Sequence, residues 1–196
     1  MHRWIVGTAF LVLASTASGQ VGEVALSFGG FSFRDGDLGE INPGQRLELD
    51  DGFRFGARLT LNTYRFFGHE IGYAYNRSSL QFEPATPGEE SLSTPIHQFG
   101  YAFLAYATPE GFRIRPFAAG GVHFSTFFPP GTSVFQGNGV TKFGLNYGGG
   151  IKAQVTPIFG IRFDVREYLT GKPFDLPNQQ GKLRQLEISA GLSLLF

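Results

Sequence analysis

Three sets of residues have the types and spacing that chemistry requires. His123-Phe124-Ser125 sets an imidazole and a hydroxyl two positions apart, which on a strand puts a base beside a nucleophile. Arg162, Asp164 and Arg166 alternate with apolar neighbours, and Arg54, Arg58, Glu70, Lys152 and Glu187 hold equivalent positions in their own segments. Charges of both signs would therefore gather on one face of a sheet. Asp35, Asp37 and Glu40, and the Glu89-Glu90 pair, lie in polar stretches where a divalent cation could bind. Their spacing is not that of an EF-hand, so solvated loop carboxylates are expected and no metal or other cofactor. Gly148 to Gly150 sit inside a strand-like run, not between a strand and a helix, which excludes a phosphate loop. They are expected to make room for bulky neighbours and tight curvature.

The elements that must position these side chains have a period of two. Phe53, Phe55, Ala57, Leu59 and Leu61 take one face and Arg54, Gly56, Arg58, Thr60 and Asn62 the other. Phe159, Ile161, Phe163 and Val165 oppose Gly160, Arg162, Asp164 and Arg166 in the same way. Similar runs begin near Val24, Ile71, Phe99, Ile114, Phe143 and Leu186, making eight segments of about ten residues, the length of a tilted transmembrane strand. Residues 34–50, 80–95, 129–140 and 169–183 read as long polar loops. Tyr64 to Phe67, Thr108 to Phe112 and Thr156 to Ile158 read as short turns. Long loops at one end and tight turns at the other are the plan of a membrane barrel.

Composition agrees with that plan. The 196 residues carry 16 basic and 16 acidic side chains, so no field of one sign exists to attract nucleic acid. Only 16% of residues are charged while 15% are aromatic, 22 of them Phe, and Cys is absent. The missing Cys removes disulfides, thiolate metal sites and thiol nucleophiles together. Mean hydropathy is −0.04, far from that of a helical membrane protein. Alternation explains the value by averaging an apolar face against a polar one.

A soluble barrel would turn its apolar face inward and cover the other with Lys, Glu and Asp. Here the second face is mostly Gly, Ala, Ser and Asn with scattered charges of both signs, which suits a narrow, neutralised lumen. On the apolar face His69, Arg77 and His97 are expected near strand ends, where a charge in a bilayer costs little. Pro116 cannot donate to a ladder and is expected where pairing has barely begun. Residues 1–19 read as a cleavable signal peptide: His2 and Arg3, an apolar Trp4 to Ala14, and small Ala17 and Gly19 before a cut. Residues 20–196 would then form the barrel.

The ending Leu186 to Phe196, alternating and closing on Phe, resembles the C-terminal signal read by the barrel-assembly machinery of outer membranes. Arg115 to Gly121, Gly148 to Lys152 and Gly160 to Tyr168 resemble the bacterial outer-membrane β-barrel domain family, which includes the membrane part of outer-membrane protein A. The resemblance implies an all-β, eight-stranded, antiparallel up-and-down barrel in a Gram-negative-type outer membrane. It implies a monomer among lipopolysaccharide, with Phe196 as assembly signal; because the chain stops at the last strand, no periplasmic domain is expected after it. Some barrels resembling this one deacylate lipopolysaccharide with a His-x-Ser pair facing the lipid. His123 and Ser125 share the lumen parity of Ala119 and Gly121, and no acid is placed to orient His123, so no enzymatic activity is expected. A structural or surface-interaction role is expected, with partners met through the four long loops and Arg54, Arg58, Glu70, Lys152, Arg162, Asp164 and Arg166 closing the lumen. The alternatives are a lipid A-modifying enzyme, or a narrow pore or small-ligand carrier.

Overall fold

The computed structural model describes residues 22–83, 92–128, 139–174, 176–179 and 181–196. The proposed signal segment, Glu89-Glu90 and the loop tips at 84–91 and 129–138 lie outside the described residues.

Alternation becomes wall. The strands are β1 (Gly22–Phe33), β2 (Asp37–Asn42), β3 (Gln45–Leu49), β4 (Gly52–Tyr64), β5 (Phe67–Glu83), β6 (Leu92–Tyr106), β7 (Ile114–Phe127), β8 (Val140–Gln154), β9 (Phe159–Gly171) and β10 (Lys182–Leu195). Eight of them form a closed antiparallel ring: β4 to β10 pair in chain order, and β1 joins β10 to β4. Closure runs from Glu23↔Leu195 to Phe33↔Gln185, and Gly22 and Phe196 exchange two backbone bonds of 2.8 and 2.9 Å below it. A closed ring leaves no unpaired edge, as strands crossing lipid require.

The face assignment follows from exposure. Leu26 is 66% and Phe28 56% exposed, whereas their neighbours Ala25 and Ser27 are buried in the lumen. Leu192, Ile161, Phe163, Phe55 and Phe143 continue an apolar outer band around the ring. Such a band is unstable against water and stable against lipid.

Residues 34–50 are not the loop expected of them. Leu38, Leu47 and Leu49 alternate with polar residues, and Asn42-Pro43-Gly44 provides the reversal, with Gly44 at a φ of 82°. They form the β2–β3 hairpin, whose β3 pairs with the far end of β5 from Arg46↔Glu83 to Leu49↔Leu80. Two other long connections are shorter than read, because β5 runs to Glu83 and β6 starts at Leu92, while β9 runs to Gly171 and β10 starts at Lys182; the β7–β8 connection keeps its length. As a result Arg77 and His97 lie within strands, opposite Pro95 and Tyr75.

Pro116 lies opposite Ala107, one step beyond Tyr106↔Phe117 where the β6–β7 ladder starts. Its carbonyl accepts the Ala107 amide at 2.9 Å, so the missing donor affects only the last rung before the turn.

Candidate functional site

The lumen contains two layers with different physics. In the middle, Arg54, Arg58, Lys152, Arg162 and Arg166 meet Glu23, Glu70, Asp164 and Glu187, and every one is buried. The Arg162 guanidinium donates to both carboxylate oxygens of Asp164, at 2.8 and 2.9 Å, and to Glu70 at 3.0 Å. Arg166 donates to Glu70 at 2.7 Å and to Asp164 at 3.0 Å. Arg58 and Arg54 both reach Glu187, at 2.7 and 2.6 Å. Lys152 donates to Glu23 at 2.6 Å, and Arg162 lies 3.7 Å from the same residue. The nine side chains thus form one connected network.

Strand parity is what brings them together. Two-residue spacing on β9 puts Arg162, Asp164 and Arg166 in one inward column, and the facing walls β4 and β5 supply Arg58 and Glu70. Neutral donors fill in around them: Thr60 and Ser193 donate to Glu70 and Glu23, and Tyr168 and Ser189 to Glu187. Bulky groups fit because glycine faces them. Phe117 lies opposite Gly150, where an added Cβ would fall 2.9 Å from its ring. His123 likewise lies opposite Gly144.

The second layer closes the end where β2 and β3 lie. Leu38, Leu47, Leu49, Leu80, Ile96, Phe127 and Leu183 form a buried apolar cluster, with Phe33, Phe82, Phe174 and Leu176 packed against it. Gln179 fastens the hairpin to the β9–β10 connection, its amide donating to the carbonyls of Leu38, Pro173 and Phe174 at 2.8–3.0 Å. Asn178 donates to Glu40 at 2.8 Å.

Of the residues singled out in the sequence, all seven named for the lumen network line it, joined by Glu187 and by Glu23. Glu23 was overlooked as a member because it opens its strand, although its parity with Ala25 and Ser27 marks it as inward. His123 and Ser125 also face the lumen, buried to 1% and 0% exposure. His123 Nε2 meets the Thr170 hydroxyl at 2.8 Å and Ser125 accepts from Gln98 at 3.1 Å, so neither contacts the other in the manner of a base and nucleophile. Asp37 engages Arg46 and the Gly39 amide, and among the described residues no group of three His, Cys, Asp or Glu could hold a metal ion. The outer wall carries more ionisable groups than expected. Glu167 accepts from Tyr147 at 2.6 Å and from Arg184 at 2.7 Å, which neutralises the pair on the outside.

A closed ring of eight strands, apolar outside and charged within, is the wall of a transmembrane β-barrel of the bacterial outer membrane. The chain belongs to the outer membrane protein beta-barrel domain family, whose model matches residues 6–196. Solved structures agree on the fold. Neisserial surface protein A is 15% identical with a TM-score of 0.59, covering 91% of this chain and 98% of its own. The outer membrane protein OprG of Pseudomonas aeruginosa is 12% identical with a TM-score of 0.64, covering 90% and 95%. The N-terminal barrel domain of Pseudomonas aeruginosa OprF is 9% identical with a TM-score of 0.52, covering 89% and 97%. No curated protein matches the sequence.

Proposed function

We propose that this outer-membrane barrel is a closed structural wall that presents its β2–β3 hairpin and outer loops to extracellular partners. One observation carries the proposal: the lumen is filled twice, by the nine-charge network and by the apolar cluster above it. An eight-stranded ring has an interior just wide enough for side chains, and these occupy it. Paired charges hold such a filling together because each loses its water only in company.

The same geometry argues against catalysis, since His123 and Ser125 are enclosed in the lumen and hydrogen-bonded to other residues. In this proposal the outer ends of the wall meet lipopolysaccharide, and exposed Arg34 and Lys182, near Arg184, supply positive charge there. Phe196, bonded to Gly22 at the seam, serves as the assembly signal. Single-channel recording in planar bilayers tests the closed lumen. No steady conductance is expected from the wild type. Stable, ion-selective steps that change on Arg162→Ala would overturn the proposal in favour of a pore.

A further inference from the structure

The ion-pair network does not balance. Its five cations, Arg54, Arg58, Lys152, Arg162 and Arg166, face four carboxylates, Glu23, Glu70, Asp164 and Glu187. The surplus can be located. Lys152 has Glu23, Arg162 has the bidentate Asp164, and Arg166 has Glu70. Arg54 has only Glu187, which Arg58 also engages beside longer contacts to Asp164 at 3.3 Å and Glu70 at 3.7 Å. A buried positive charge without its own counter-charge is costly.

Beside these two arginines is a cavity of about 30 Å³. Arg54, Arg58 and Arg166 line it against a single carboxylate, Glu70, which Arg162, Arg166 and Thr60 already engage. Hydrogen-bonding capacity is left over around it. Arg54 Nε is buried with no hydrogen-bond partner among the described residues, Arg58 Nη1 has only Asp164 at 3.3 Å, and Nδ1 of His123 and Oδ1 of Asn146, which also line the cavity, are unpartnered. Surplus charge, unused donors and space coincide at one place.

We propose that this cavity binds a small monovalent anion of halide size, held by the Arg54 and Arg58 guanidinium groups. The anion completes the neutralisation that Glu187 alone cannot provide for both. A divalent or polyatomic anion would reverse the charge imbalance or exceed the space. A cation would meet three guanidinium groups.

The test refolds the protein from urea into detergent with sodium bromide, so that the ion is present as the barrel closes. Crystals are then measured at the bromine absorption edge. An anomalous peak in the cavity against Arg54 and Arg58 is expected, and its loss in Arg54→Gln, which removes the surplus charge. In parallel, the heat-modifiable gel transition of the wild type should move to higher temperature when chloride replaces gluconate at fixed ionic strength. Arg54→Gln should show no such shift, and Arg58→Gln serves if that variant does not fold. A wild-type cavity without a bromine peak, or an equal chloride response in the wild type and the folded variant, overturns the site.

Discussion

The two layers that fill this barrel solve the same problem in opposite ways. The middle layer is built from the wall itself, its partners approaching across the lumen from β1, β4, β5, β8, β9 and β10. The outer layer is brought in by an excursion, the β2–β3 hairpin, which carries Leu38, Leu47 and Leu49 onto Leu80, Ile96, Phe127 and Leu183. In the first, each member depends on every other, because a charge that loses its partner stays buried. In the second, packing is local and its failure can stay local. A barrel filled this way should be rigid at its centre and separable at its outer end.

The largest effect should come from breaking the middle. Asp164→Ala leaves Arg162 without its bidentate partner and deprives Arg166 and Arg58 of a neighbouring charge. Losing one member of a buried pair typically costs about 3–5 kcal/mol. The midpoint of urea unfolding in detergent should fall accordingly for the whole barrel.

Leu38→Ala should cost about 2–5 kcal/mol of packing, but chiefly in the free energy of lifting the hairpin. Amide hydrogen exchange in β2 and β3 should speed up strongly while β8 and β9 stay protected. Equal acceleration in both would mean that the two layers unfold as one unit.

The smallest effect is one of pH. Burial pushes the Asp37 carboxyl upward, but hydrogen bonds from Arg46 and the Gly39 amide outweigh it and hold the group below the usual carboxylate range. The stability this adds is present above the unfolded value of about 4 and is lost as pH falls through the folded one. Both side chains are partly exposed, so the contribution is small. In NMR spectra of micelles, the Leu47 methyl shifts should stay constant from neutral pH to about 5 and move below about 4. Asp37→Asn should abolish that movement.

The face of nearly every wall residue was legible because strand parity is binary: once Phe55 points to lipid, Arg54 and Arg58 must point inward. The hairpin was missed for an identifiable reason. Asp35, Gly36, Asn42, Pro43 and Gly44 are turn-forming residues, and their density hid the short alternation of Leu47 and Leu49 that follows them. Glu167 and Arg184 were missed on the outer wall because parity alone does not show that two charges from neighbouring strands neutralise each other. The partner choices within the lumen were not legible either. They depend on how far the ring is turned when it closes, and only the register of eight strands determines that.

The seam between β1 and β10 has a kinetic consequence. Arg58 meets Glu187 across 129 positions of chain, and Lys152 meets Glu23 across the same distance. The first is not available to a growing chain until β10 has been made, and the second not until β8 has. Folding dominated by such distant contacts is slow, because loop-closure entropy is lost before any pairing compensates for it. Until the ring closes, the chain's arginines and carboxylates therefore stay unmatched across the lumen.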